Sequence, residues 1–453
     1  MELGHAADPD SLPALNVFRL SPLHLLTCAL IGCGCPSKTP PAPKTTPVAA
    51  STRASSEVPV DPLVPKPIRV TVDGLPEPFA TDSARKGPQV VAMPEGARLQ
   101  VPAGFRVQIW AEGLDRPRWL ALTPEGDVLV TETRQNRIQR LRDANGDGVA
   151  EHREVFATES NGLDIPFGMA FAGEHFFLGN SHEVRRFAYA KGKALQGEGE
   201  RITKLPGGGY NQHWTRNVIP SADGKHLYVS VGSATNVDVE PLPRASVQRI
   251  DLDGSHMTTV GSGLRNPVGL AVHPRTGTLY ATVNERDGMG DDLVPDYFTS
   301  VKEGAFYGWP YAYLRADKLD PRRTDDGQSQ DPERAASTVT PDVLFQAHSA
   351  SLGLAFYDHT AFPARYREGA FAAFRGSWNR DRGTGYKLVF IPFENDRPVG
   401  HYEDFLTGFL LDPTGPTTWG RPVGLLALPD GSLLFTEEMN GRIFRVSYPP
   451  SGG

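Results

Sequence analysis

The chain has 453 residues, 39% of them hydrophobic and 22% charged, which excludes wholesale disorder and allows one large domain or about three small ones. A net charge of −7 excludes the cationic footprint of a nucleic-acid binder. The cysteines are Cys28, Cys33 and Cys35, so disulfides, cysteine zinc sites and thiol nucleophiles are excluded from the rest of the chain.

Residues 20–32 (LSPLHLLTCALIG) form an apolar run behind Arg19, too short to span a bilayer and suited to a signal h-region. The run ends in Leu30-Ile31-Gly32-Cys33, which resembles the bacterial lipobox. The expectation is a lipoprotein-type signal over 1–33, lipidation at Cys33, and export to the periplasm or cell envelope. Glu2, Asp8 and Asp10 make a poor n-region and point to a start further downstream. Residues 34–90 read as a Pro/Ser/Thr-rich tether with too little apolar surface to fold.

From residue 91 to 450 one phrase recurs: Pro, then Leu-Ala, then Pro-x-Gly, then a β-rich run. Its clearest copies are LDRPRWLALTPEGDVLVTETRQNRIQRL, LRNPVGLAVHPRTGTLYATVNE and WGRPVGLLALPDGSLLFTEEMNGRIFRV. Aligning the copies gives six equivalent anchors: Pro117, Pro166, His213, Pro267, Ser351 and Pro422. No long 3.6-residue period occurs, and units of roughly 50 residues with several short strands are the pattern of propeller blades. The expected fold class is all-β, a six-bladed β-propeller behind the signal and tether. The widest gap between anchors holds the polar run DPRRTDDGQSQDPER, expected as a surface loop.

Within the first repeat, Asp143-Ala144-Asn145-Gly146-Asp147-Gly148 continues to Glu154, fitting D-x-[DN]-x-[DN]-G-x₅-E. Oxygens of Asp143, Asn145, Asp147 and Glu154 could wrap Ca²⁺. The flanks read as strands, so an EF-hand is excluded, and a solvated hairpin has the same composition.

In a propeller the first strand of each blade lines the central channel, so the anchors should ring one mouth of it. The residues just before them include Arg116, Gln212, Asn266 and Arg421, with Arg265 one further back. Such a ring suits a planar or multiply charged anion. His213 shares the ring, and neighbouring guanidinium groups would lower its pKa, as befits a general base. His182, His348 and His359 stand isolated in the sequence, and no G-x-S-x-G elbow exists.

Four segments then carry a resemblance. Gln212-His213-Trp214-Thr215-Arg216, Gly263-Leu264-Arg265-Asn266-Pro267, the run from Asn284 through Asp287 and Gly288 to Asp292, and Tyr307-Gly308-Trp309-Pro310 are similar to the soluble glucose/sorbosone dehydrogenase family. The opening VPAGFRVQIWAEGLDRPRWLAL and the segment FRGSWNR…GYKLVFIPF resemble its sorbosone branch. The resemblance covers roughly residues 98–448. It implies a pyrroloquinoline quinone-dependent oxidoreductase acting on a sugar or aldehyde and passing electrons to a periplasmic acceptor. It implies His213 as general base, Arg265, Asn266 and Arg421 as cofactor-binding, and backbone carbonyls of Asp287 and Gly288 as ligands of Ca²⁺. Val268 and Val423 depart from the family's glutamine and second arginine, and Asn379 or Arg380 replaces its lysine; Arg375 and Arg380 could compensate by charge. The rival readings are a non-catalytic propeller binding a partner or glycan, and a metal-dependent lactonase.

Overall fold

The structure, a computed structural model, describes residues 56–208 and 213–449. The signal, Cys33, the start of the tether and Gln212 lie outside the described residues. Among the described residues the sole α-helix is Pro332–Ala336, and no helix is long and apolar enough to cross a membrane.

Nearly everything else is strand. Six sheets of four or five strands follow one another along the chain. Their first strands are Pro117–Leu122, Met169–Ala172, Val218–Pro220, Asn266–Val272, Ser351–Phe356 and Pro422–Ala427. Five of these open on, or a few residues after, the anchors read from the sequence, and the sixth, Asn266–Val272, starts one residue before Pro267. Four share a further detail, a bulge within three residues of the anchor, between Pro117 and Leu120, Pro267 and Leu270, Ser351 and Leu354, and Pro422 and Leu425. The repeat is thus a repeat of backbone irregularity as well as of sequence.

Because side chains alternate along a strand, each sheet buries two faces. In His175–Asn180, Phe176 and Leu178 pack towards the sheet before, while Phe177 packs towards the sheet after. The core is therefore divided. Six apolar clusters each join one sheet to the next, and the cluster of Trp110, Leu434, Leu120 and Val130 joins the sixth to the first.

Hydrogen bonds follow the same circuit. Thr133 Oγ1 donates to Pro166 O at 2.8 Å, Gly168 N to Arg216 O at 3.0 Å, and Asn217 Nδ2 to Val268 O at 3.0 Å. Thr282 Oγ1 donates to Leu352 O at 2.8 Å, Arg421 Nε to Arg375 O at 3.2 Å, and Thr436 Oγ1 to Arg118 O at 2.7 Å. At the last of these steps a Cβ on Gly424 would lie 2.3 Å from Arg118 O, so only glycine permits the approach.

The sixth sheet draws on both ends of the chain: Arg106–Ala111 pairs with Arg442–Ser447, and Glu57–Val58 pairs with Arg106–Ala111. From residue 56 the segment read as tether is not free. Val60–Leu63 pairs with Leu99–Pro102, Pro67–Ile68 with Glu403 and Tyr402, and Gln89–Val90 with Thr417–Thr418. It contributes few core side chains; what holds it is the unpaired backbone of sheet edges, and its prolines are tolerated because edge strands leave N–H groups free.

Each first strand pairs at its start with the end of the second strand, as in Asn266 opposite Asn284 and Ser351 opposite Phe374. The loops after those second strands, including residues 232–245, 285–296 and 375–386, therefore gather at one end of the molecule. That end carries the candidate site.

Candidate functional site

The site has an apolar floor. Trp119, Phe167, Val268, Leu352 and Val423 are buried against one another, with Trp214 half-buried beside them. Each follows an anchor by one or two residues, so all six repeats contribute. Trp119 and Phe167 lie 4.6 Å apart between ring centroids, and the Arg118 guanidinium sits 5.0 Å from the Trp214 ring. Val268 and Val423, expected from the resemblance to stand at altered cofactor-binding positions, are both packed into this floor.

Above the floor stands His213, with 6% of its surface exposed. Its Nδ1 lies 3.0 Å from Ser233 Oγ and 3.2 Å from Ser233 O. The Ser233 hydroxyl spends its proton on Thr235 O at 2.7 Å, so Oγ accepts and Nδ1 carries the ring proton. The lone pair is then on Nε2, which lies 3.4 Å from Arg265 NH1. Burial, and then the positive charge of Arg265, hold the imidazole pKa well below its ordinary value. His213 is thus a neutral ring whose Nε2 lone pair faces the Arg265 guanidinium.

Arg265 is the hub of the site. Its Nε donates to Asn236 O at 3.0 Å, NH1 to Glu285 O at 2.6 Å, and NH2 to Asn236 Oδ1 at 2.9 Å. Its charge meets Asp287, whose Oδ2 lies 3.2 Å away. Asp287 Oδ1 accepts from Asn379 Nδ2 at 2.6 Å, and Asn379 Nδ2 lies 3.1 Å from Nδ1 of the buried His348. A cleft of about 320 Å³ beside the hub is lined by Leu242, Arg244, Trp309 and Tyr311; the Trp309 indole donates to Asn236 O at 2.9 Å.

A second cationic group faces the floor from the other side. Arg118 and Arg375 both bind the buried carboxylate of Glu438, and Arg421 donates to Arg375 O and Gly376 O.

The structure thus brings together His213, Arg265, Asn266 and Asp287, and places Arg421 with Arg118 and Arg375. Arg116 is half-buried in a left-handed turn (φ 47°), and the buried guanidinium its repeat supplies is Arg118, one residue after the anchor. Arg380 is held outside the centre by Asp291 O and by Asp292 at 2.7 Å; its neighbour Asn379 reaches inward. His348, isolated in sequence, joins through Asn379, a contact that no spacing announces.

Two observations bear on the expected cofactor. Asn266 Oδ1 is buried without a hydrogen-bond partner, and it sits so close to Gly232 that a Cβ there would lie 2.4 Å from it. An apolar floor, nearby guanidinium groups, an orphaned amide oxygen and a neutral imidazole fit a polycarboxylate quinone. Calcium at 287–288 fits less well, because the Asp287 carbonyl already accepts from Asn236 Nδ2 at 2.8 Å and Arg286 NH1 at 3.0 Å.

The acidic loop lies elsewhere. Asp143, Asp147 and Glu151 bring carboxylate oxygens within 4.8 Å of one another, and the Asn145 amide donates to Asp147 at 3.1 Å. Glu154 does not join them; it stands opposite Arg140 in the strand ladder and binds it at 2.7 Å. Glu151, the residue just before the strand begins at His152, takes the place expected of it.

A family model described as TrAA12-like matches residues 99–449. The chain is 27% identical over 368 residues to an uncharacterized protein of Borreliella burgdorferi, covering 77% of this chain and 91% of that one. It is 25% identical over 414 residues to a pyrroloquinoline quinone-dependent pyranose dehydrogenase of Coprinopsis cinerea, covering 77% of this chain but only 54% of the relative. Among solved structures, the calcium structure of a Trichoderma reesei carbohydrate-active enzyme of family AA12 is similar with a TM-score of 0.66 at 21% identity, over 80% of this chain and 98% of that one. The holo form of the pyranose dehydrogenase PQQ domain from Coprinopsis cinerea gives 0.63 at 22% identity, over 80% and 100%. At such identities the structural likeness shows the fold alone. The family model spans most of the chain and all six sheets, and on that ground the chain belongs to the TrAA12-like family.

Proposed function

We propose that this protein is a sugar or aldehyde dehydrogenase of the aldose or sorbosone type, with pyrroloquinoline quinone as its cofactor and the six sheets as the blades of a closed propeller. The observation that carries the reading is the neutral His213, its Nε2 lone pair 3.4 Å from a buried guanidinium at the common end of six first strands. Membership of the TrAA12-like family supports it. Bound pyrroloquinoline quinone supplies a two-electron acceptor. His213 Nε2 takes the proton from the substrate hydroxyl, and Ser233 holds the ring in the tautomer that can do so. Arg265, its donors spent on Asn236, Glu285, Asp287 and His213, offers the cofactor positive charge, Asn266 offers it an amide, and Arg421, Arg118 and Arg375 add a second cationic group. The floor residues exclude water beneath. Ca²⁺ belongs to the proposal at the loop of Asp143, Asn145, Asp147 and Glu151, and not at Asp287 and Gly288, where the Asp287 carbonyl is already spent on Asn236 and Arg286. Export by a lipid anchor on Cys33 rests on the Leu30-Ile31-Gly32-Cys33 sequence alone, and electron delivery to a periplasmic acceptor on that export together with the dehydrogenase resemblance.

The test loads purified protein with the quinone and Ca²⁺ and follows dye reduction across aldoses and aldehydes. His213→Ala should lower kcat by at least about 10²-fold while the cofactor titrates as before. Turnover unchanged by that substitution refutes the role of His213; a loaded wild type inert on the whole panel favours a non-catalytic binder.

A further inference from the structure

We propose that Asn236 is a positioning residue for Arg265, and that the loop carrying it sets the distance between that guanidinium and the His213 base. This rests on the sugar-oxidation reading for its kinetic consequence and adds to it a residue that no repeat or motif singles out.

Contacts are the first argument. Asn236 follows the second strand of the third sheet, His226–Val231, and reaches across to the fourth. Its backbone O accepts from Arg265 Nε at 3.0 Å and its Oδ1 from Arg265 NH2 at 2.9 Å, so two oxygens of one residue take one edge of the guanidinium. The same Oδ1 accepts from Asp287 N at 2.9 Å, while Nδ2 donates to Asp287 O at 2.8 Å. The amide thus engages both backbone groups of the residue whose carboxylate also meets Arg265 NH2. Arg265 NH1 is left for Glu285 O at 2.6 Å and His213 Nε2 at 3.4 Å.

The loop itself is the second. His213 and Arg265 precede the first strands of different sheets, Val218–Pro220 and Asn266–Val272. Residues 233–236 touch both: Ser233 holds the His213 ring by Nδ1, and Asn236 holds Arg265. This stretch is pinned on either side. The Glu240 carboxylate accepts from Ala234 N at 2.9 Å and Thr235 N at 2.7 Å, and Arg323 donates to Val237 O at 3.0 Å and binds the Asp238 carboxylate. A pinned loop that grips both partners fixes their separation before any ligand arrives.

The side-chain chemistry is the third. The position uses an acceptor for Arg265 and a donor for the Asp287 carbonyl on one short, planar group, and asparagine supplies both. Aspartate keeps the acceptor and lacks the donor; alanine lacks both. Without the amide oxygen, Arg265 NH2 has the Asp287 carboxylate alone, and the guanidinium turns with that side chain.

The experiment compares wild type, Asn236→Ala and Asn236→Asp by steady-state turnover of the loaded enzyme, by thermal melts, and by NMR of the arginine guanidinium groups in the cofactor-free full chain. The Arg265 signals are assigned with Arg265→Lys; held NH2 protons give resolved signals, and a loose guanidinium averages them. Asn236→Ala should lower kcat about tenfold with KM within about twofold, lose the resolved signals, and melt earlier. Asn236→Asp should return kcat to within about threefold of wild type and keep the signals, yet melt as early as the alanine variant, because its carboxylate faces Asp287 O. Rate then follows the acceptor and stability the donor, whereas a merely structural residue would lose rate and Tm together in both variants. The proposal is overturned if Asn236→Ala keeps the wild-type kcat and signals, or if Asn236→Asp loses as much kcat as Asn236→Ala. Signals lost in Asn236→Ala and kept in Asn236→Asp, with a wild type inert on every sugar and aldehyde, would uphold the positioning of Arg265 and remove the dehydrogenase reading instead.

Discussion

Gly232 shows how little room the site leaves. Any Cβ at this position would lie 2.4 Å from Asn266 Oδ1 and 3.1 Å from His213 Cβ. Gly232→Ala must push apart the two groups that the reaction needs together. It should cost about 1–3 kcal/mol of stability and at least a tenfold loss in kcat/KM, read from thermal melts and initial rates. Wild-type rates in that variant would mean that the close approach is incidental. The nearness of His213 and Arg265 was legible in the sequence, because His213 is an anchor and Arg265 lies two residues before the anchor of the next repeat. The exchange of Arg116 for Arg118 was not. Which side chain faces the centre depends on backbone dihedrals at the anchor, and the left-handed turn at Arg116 leaves no mark in a pattern of apolar residues.

At the scale of elements, the acidic loop is a separable unit. Its carboxylates come from Asp143, Asp147 and Glu151, and the hairpin then passes into His152–Ala157. If the loop holds calcium, about 1 mM of the ion should raise Tm in wild type. Asp147→Asn should abolish the rise, and Glu154→Gln should keep it, because Glu154 is spent on Arg140. An equal rise in the Asp147 variant would show that the ion acts elsewhere. The motif was readable, but its closing ligand was not: the strand begins at His152, and alternation from there turns Glu154 towards its neighbour. The segment from residue 56 escaped for a related reason. Strands that add to an existing edge are recruited by backbone, so their sequences need neither alternation nor apolar runs.

Across the whole molecule, three carboxyl groups couple stability to pH. Burial raises Glu285 to about 8, Asp296 to about 7 and Glu437 to about 7. The folded state therefore binds their protons more tightly than the unfolded chain does. Their contribution is complete below the ordinary carboxyl range and is lost as pH rises through the folded values. Tm should fall between about pH 5 and pH 8, and Glu285→Gln should flatten the fall without removing it, since Asp296 and Glu437 remain. A slope identical to wild type would place the ionised form of Glu285 in the folded state. The repeat count was legible because six copies of one phrase survive; the division of the core into clusters between sheets follows from two-faced strands such as Phe176-Phe177-Leu178.

The sheet shared by Arg106–Ala111 and Arg442–Ser447 sets an order of events during synthesis. A ribosome releases the first of these strands long before it has made the second. Throughout that interval one side of residues 106–111 offers unmet amide and carbonyl groups to any passing chain. The circuit is finished only when translation reaches its last strand. A nonsense mutation near residue 440 would thus injure the protein at residue 106.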